Sequence, residues 1–260
     1  MSARWAVVTG ASSGIGEAFA RALDARGYSI LLVARRRDRL EGLARTLGHA
    51  AIFAADLQDE AALARTAAHA LALGDVELLV NNAGFATNGE FLALDGAREV
   101  GMVKLNALAP LELAQRLLPA MVARRSGGII NVSSIAAFQP VPYMATYGAT
   151  KAFLLSWSEA LGHELRRSGV RVTCVCPGPT ATEFFEVAAT DPRMAKMPHM
   201  MSADAVVART LAAFDGGRAV VVPGLINWLT AFVTRIFPRI AVRLVTGRLF
   251  APRERKALRS

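Results

Sequence analysis

Along most of the chain, short β-branched apolar runs alternate with longer stretches rich in Ala and Leu. Strands are expected at Trp5–Thr9, Ser29–Ala34, Ala50–Ala54, Val76–Val80, Gly128–Val132, Val170–Val175 and Ala219–Val222. Between them the pattern predicts helices at Gly16–Arg26, Asp38–Leu47, Glu60–Leu73 and Ala149–Arg167, with a longer helical region before Gly128. Strands separated by helical patterns of roughly 10–15 residues imply βαβ units and a parallel sheet. The strand runs are apolar throughout rather than alternating, as expected when helices cover both faces of the sheet. No repeat or Gly/Ser-rich linker interrupts this pattern. Residues 1–223 therefore read as one α/β domain, a doubly wound parallel β-sheet of Rossmann-like type, and residues 224–260 as a C-terminal apolar, basic helical extension.

Composition removes several classes of function. With 53% hydrophobic and 20% charged residues in 260, the chain has the material for a large core and is not a disordered protein. Only two cysteines occur, which excludes a disulfide-stapled scaffold. Cys174 and Cys176 lie in an apolar run, where neighbouring side chains point to opposite faces, and they read as buried strand residues. His49, His69, His163 and His199 show no metal-ligand spacing, so no metal is expected. The start does not read as a signal peptide, since glycines follow where an apolar segment should continue. The longest uncharged stretch near the C-terminus, Ala219–Thr234, has 16 residues and includes Pro223, short of the roughly 20 that span a bilayer as a helix. A cytoplasmic protein without a membrane span is expected.

The formal net charge of +9 is unevenly placed. From Trp228 to Ser260 there are eight Arg or Lys residues against a single acid, Glu254, whereas the rest of the chain has 22 basic and 20 acidic residues. A near-neutral body lacking interleaved aromatic and basic residues argues against a nucleic-acid partner.

The first strand runs directly into Gly10-Ala11-Ser12-Ser13-Gly14-Ile15-Gly16. Glycines at such a strand-to-helix turn allow close backbone approach, and the free N–H groups of the helix start favour a phosphate. The spacing differs from the common Gly-x-Gly-x-x-Gly fingerprint, and a turn with no ligand remains the alternative. After the second strand, where an acid would bond the ribose 2′-OH of NAD, the chain has Arg35, Arg36 and Arg37. Guanidinium groups there suit a 2′-phosphate; a solvated helix start is the alternative. Tyr147 and Lys151 stand four apart, on one face of a helix. A cation one turn away favours phenolate and would lower the tyrosine pKa from its ordinary value near 10.

Taken with Asn81-Asn82-Ala83-Gly84, Ser133-Ser134 and Pro177-Gly178, these motifs resemble the short-chain dehydrogenase/reductase family in order and spacing over about residues 3–182. The resemblance implies an NADP(H)-dependent oxidoreductase. Tyr147 would be the general acid/base, Lys151 would lower its pKa and bind the nicotinamide ribose, Ser134 would align the substrate oxygen, and Asn106 would hold a water in a proton relay. Ser134 is preferred to Ser133 because it precedes Tyr147 by the family's usual 13 residues. Tyr143, followed four residues on by a tyrosine and not a lysine, is a decoy. Around the cofactor the resemblance places Gly10, Ser12, Ser13, Gly14, Ile15 and Gly16 at the phosphates and Asp56 with Leu57 at the adenine. It puts Asn82, Ala83 and Gly84 at the adenosine ribose, Pro177, Gly178 and Thr182 at the nicotinamide, and Arg35 and Arg36 where NADP-preferring members carry arginine. Glu183 to Ser202, with Phe184, Phe185, Met194, Met197, Met200 and Met201, would cover an apolar carbonyl or alcohol substrate; core packing of a short helix pair is the alternative. A dinucleotide-binding sensor without turnover is the alternative function.

The C-terminus departs from the family, many members of which end soon after the last strand with a segment that packs a tetramer. A homodimer is therefore expected in preference to a tetramer. Trp228, Leu229, Phe232, Val233, Ile236 and Phe237 recur at helical spacing, and Pro238 divides them from a second helical run. Arg235, Arg239 and Arg243 fall four apart as one basic stripe. The extension, over 224–250, either meets an anionic membrane surface or packs on its own core or across a dimer.

Overall fold

A computed structural model of the chain describes residues 4–184 and 200–251. Seven strands form one sheet: β1 (Arg4–Thr9), β2 (Ser29–Ala34), β3 (Ala50–Ala54), β4 (Asp75–Asn81), β5 (Gly127–Val132), β6 (Val170–Val175) and the two-residue β7 (Val220–Val221). Their order is β3-β2-β1-β4-β5-β6-β7, and every pairing is parallel. The chain therefore reverses its direction of travel between β1 and β4. At such a switch the loops leaving the two strands splay apart, and a crevice opens at the carboxyl ends.

Alternation along the strands explains the apolar runs. Ala6 and Val8 of β1 face one layer, with Phe19 and Leu23 of α1 (Gly14–Asp24), Leu40 of α2 (Arg37–Ala44) and Leu211 of α7 (Ala203–Asp215). Trp5 and Val7 face the other, with Leu63 of α3 (Glu60–Leu73) and Leu113, Leu117 and Met121 of α5 (Ala109–Arg124). Each fully buried side chain of this size contributes about 1.5–3 kcal/mol, so both layers hold the sheet.

Helix α7 has no counterpart in the pattern read from sequence, although Ser202 caps it by accepting from the Ala205 N–H at 3.2 Å. Between α4 (Gly96–Val103) and α5 the backbone widens into a π-helical turn, Lys104–Leu108. The helix that carries Tyr147, α6 (Ala145–Glu164), begins four residues earlier than its sequence suggests. A buried polar chain anchors it. Asn81 donates to Asn131 at 2.9 Å, and Asn131 donates to Ser158 of α6 at 2.8 Å. Cys174 near the end of β6 and Cys176 just past it are buried free thiols that, two residues apart, share one cluster beside Leu155.

Two further helices, α8 (Leu225–Ile236) and α9 (Arg239–Phe250), flank Pro238, the residue that caps α9. The break puts Arg235 on one helix and Arg239 and Arg243 on the other, so the three do not form a stripe on a single helix. Arg235 instead lies over the Phe138 ring at 5.1 Å. Among the described residues no helix is long and apolar enough to cross a membrane.

Candidate active site

Two loops leaving the switch point are pinned to each other. The Thr9 hydroxyl donates to Val80 O at 3.1 Å and accepts from the N–H groups of Asn82 and Ala83, both at 3.0 Å. The Asn82 amide donates to Thr9 O at 2.9 Å and to Gly10 O at 3.2 Å. Asn82 thus holds the glycine turn in shape with its side chain. A Cβ on Gly16 would sit 2.2 Å from Gly10 O, and Gly10 itself has φ +65°, so both positions require glycine. Gly84, at the far end of the same segment, lies at the catalytic end: a Cβ there would meet Asn106 Oδ1 at 2.8 Å and Lys151 Nζ at 3.6 Å.

The arginines after β2 separate. Arg35, largely exposed, faces Asp56 at 3.9 Å. Arg36 turns onto the glycine turn, donating to Ser12 Oγ at 3.1 Å and Ser13 Oγ at 3.0 Å. Its Nη1 donates to Glu183 at 3.0 Å, and Arg39, three residues on, approaches the same carboxylate at 3.4 Å. The Arg36 guanidinium above all holds the Glu183 pKa below the ordinary carboxylate range. The corner formed by Ser13, Arg36 and Arg39 therefore accepts an anion, as the 2′-phosphate of NADP(H) requires, and the residues fit that cofactor. Neither Arg39 nor Glu183 was evident from sequence, although Arg39 lies on the Arg36 side of α2 by its spacing. Leu57 packs in the core, leaving only its backbone for the adenine side. Thr182 lies against Gly14, and Gly178 against Asn227 of α8, each so closely that a Cβ on the glycine would collide with it.

At the catalytic end, Lys151 Nζ donates to Val132 O at 2.8 Å and lies 5.8 Å from the centre of the Tyr147 ring. Ser133 bonds Lys151 O at 2.7 Å, a structural use that leaves Ser134 as the serine facing the phenol. Ser134 is oriented by accepting from the Ala136 N–H at 3.1 Å. Asn106, buried in the widened turn, donates to Phe85 O at 2.9 Å and Thr150 Oγ1 at 3.2 Å, and accepts from the Phe85 N–H at 3.1 Å. An apolar cluster of Phe85, Ala86, Met102, Met144, Phe184 and Phe250 surrounds Tyr147, with the Phe184 ring centred 5.6 Å away. Phe250 closes α9, so the C-terminal extension reaches the site wall. Phe185, Met194 and Met197 lie outside the described residues.

The electrostatics differ from the expectation of a lysine-lowered tyrosine. Burial dominates and pushes the Tyr147 phenol up to about 12, against the opposing hydrogen bond from Ser134. Burial also pushes the Lys151 ammonium down to about 8. At neutral pH the phenol carries its proton and can act as an acid, while the neighbouring amine is poised to exchange one.

A model of the short chain dehydrogenase family matches residues 4–193. Among curated proteins, the very-long-chain 3-oxoacyl-CoA reductase of Phaeosphaeria nodorum is 36% identical over 184 residues, which are 66% of this chain and 53% of that protein. The chain thus spans about half the length of that relative. Among solved structures, a short-chain dehydrogenase from Sphingobium yanoikuyae in complex with NADPH superposes with a TM-score of 0.81 at 32% identity, covering 98% of each chain. The bulky-bulky ketone specific alcohol dehydrogenase from Comamonas testosteroni gives 0.77 at 30% identity, covering 90% of this chain and 93% of that one.

Proposed function

The chain belongs to the short-chain dehydrogenase/reductase family, and from that premise we propose an NADP(H)-dependent oxidoreductase that interconverts a lipophilic ketone or aldehyde and its alcohol. The observation that carries this reading is the buried Tyr147, with Ser134 beside it and Lys151 one turn later, its Nζ 5.8 Å from the ring centre. When bound, the nicotinamide supplies or takes the hydride. The chain manages the proton. Tyr147 gives its phenolic proton to the carbonyl oxygen in reduction and takes it from the alcohol in oxidation. Ser134 holds that oxygen by a hydrogen bond, and Lys151 restores the proton. Asn106 positions Thr150, the residue before Lys151, and its Oδ1, which has two lone pairs, keeps one for a water that relays protons to Lys151.

The serine–arginine corner supports NADP(H) over NAD(H). The phenylalanines and methionines around Tyr147 support an apolar substrate, in keeping with the bulky ketone and long-chain oxoacyl compounds that the two relatives are named for. A sensor without turnover would have no use for the Ser134–Tyr147 pair. The test is consumption of NADPH or NADH, followed by absorbance, across aliphatic, aryl and bulky cyclic ketones. Turnover with at least one class and a preference for NADPH is expected; no turnover with any class would favour the sensor.

The extension supports a second proposal, that α8 and α9 seat the protein on an anionic bilayer. Ile226, Trp228, Phe232, Ile236 and Phe237 are 46–64% exposed, while Ala231 is the buried residue of α8. Packing on its own core therefore leaves most of this apolar surface uncovered. Residues 225–250 contain Arg235, Arg239, Arg243 and Arg248 and no acid. Basic residues near an anionic surface contribute about 1 kcal/mol each, which adds to insertion of the aromatics.

A further inference from the structure

Glu183 has no place in the proton chemistry, yet its carboxylate meets both arginines of the cofactor corner. Its carboxylate takes a hydrogen bond and ion pair from Arg36 at 3.0 Å and the approach of Arg39 at 3.4 Å, and Arg36 also donates to Ser13 Oγ at 3.0 Å. The partners come from the start of α2, 147 residues away from Glu183 in the case of Arg36. A carboxylate that collects two guanidinium groups takes donors that a phosphate would also use.

We infer that Glu183 is a specificity-determining residue of the cofactor site, an internal anion that a 2′-phosphorylated dinucleotide must displace from Arg36 and Arg39. The inference rests on the NADP(H) reading above and adds a residue that works against it. Two anions cannot share Arg36 without like-charge repulsion, so binding of the phosphate breaks the Glu183 contacts. NADH has a 2′-hydroxyl in that position and leaves them in place. Glu183 therefore lowers the affinity for NADPH while sparing NADH, and it narrows the discrimination that the arginines would otherwise give. The same competition applies to any ligand bearing the adenosine 2′-phosphate, whether or not it carries a nicotinamide.

The effect is modest because the pair is partly exposed, with side-chain exposures of 43% for Arg36 and 37% for Glu183. Ion pairs of that kind are worth roughly three- to five-fold in an equilibrium. The experiment is calorimetric titration of the full chain and its Glu183→Gln and Glu183→Ala variants with NADPH, NADH and 2′,5′-ADP, alongside Arg36→Ala. Both Glu183 variants should bind NADPH and 2′,5′-ADP about three- to five-fold more tightly and bind NADH as the wild type does. Unchanged or weaker NADPH binding in the Glu183 variants, or an equal change with NADH, would overturn the inference. If Arg36→Ala abolishes the preference for NADPH while the Glu183 variants do nothing, the cofactor reading stands and the role of Glu183 fails. If Arg36→Ala leaves the preference intact, the phosphate does not use this corner, and both readings fail together.

Discussion

Replacing Lys151 by methionine keeps the length of the side chain and removes its charge, which isolates the cost of burying an amine. Lys151 is 5% exposed and donates to Val132 O. Burial lowers its pKa from 10.5 to about 8. Between those two pH values the unfolded chain holds a proton that the native chain has released. The unfolded state therefore binds more protons, and stability rises with pH through the window and is lost as pH falls back towards 8. At 1.36 kcal/mol per pH unit the displacement is worth about 3 kcal/mol. Tyr147 acts in the opposite sense and elsewhere. With its folded pKa raised from 10.0 to about 12, the native chain keeps a proton that the unfolded chain loses, so this contribution is full below pH 10 and disappears as pH rises towards 12. Because both proteins retain Tyr147, its contribution largely cancels in a difference. Urea unfolding of wild type and Lys151→Met at pH 7.5, 8.5, 9.5 and 10.5 should show the wild type gaining about 3 kcal/mol relative to the variant across the series. Loss of the bond to Val132 displaces the whole difference by a constant and does not alter its slope. A pH-independent difference, or one that shrinks as pH rises, would refute the reasoning that burial governs this lysine.

Asn131→Ala breaks the chain from Asn81 through Asn131 to Ser158 that ties α6 to the sheet, and leaves buried partners unsatisfied. It should cost about 2–4 kcal/mol in urea unfolding, and a loss under 1 kcal/mol would show that the polar chain is not what anchors α6. For the C-terminal helices, the full chain should co-sediment with phosphatidylserine vesicles and release with salt, whereas a Trp228→Ser, Phe232→Ser, Arg239→Glu, Arg243→Glu variant should stay in the supernatant. Equal recovery of the two proteins would remove the membrane proposal, and a concentration-dependent dimer of the wild type alone would point to a second copy as the cover.

Local chemistry made the site legible where one motif sufficed. The glycine turn and the Tyr147–Lys151 spacing each lie within a few residues of sequence, Ser134 is singled out only by the family's spacing to Tyr147, and the apolar strand runs give away a sheet covered on both faces. What could not be read depends on distant segments meeting. Arg35 and Arg36 look equivalent in the chain, and only the fold sends one to Asp56 and the other to Ser12, Ser13 and Glu183. Phe250 joins the Tyr147 cluster across more than a hundred residues. The direction of the tyrosine's pKa shift is hidden in the sequence for a related reason. Spacing reveals the neighbouring cation, but burial raises the Tyr147 pKa, and part of the apolar cluster around it, Phe184 and Phe250, comes from distant segments of the chain. Helix α7, by contrast, had its signal in Ser202, Asp204 and the apolar positions that follow.

The central claim is that Tyr147 is the proton donor of a carbonyl reduction, and single-turnover reduction by Tyr147→Phe, with NADPH binding titrated on the same sample, tests it most directly. General acids contribute about 10²–10⁴-fold, so the rate of ketone reduction should fall by that factor while the Kd for NADPH stays within about twofold of wild type. A variant that reduces the ketone at the wild-type rate would contradict the assignment.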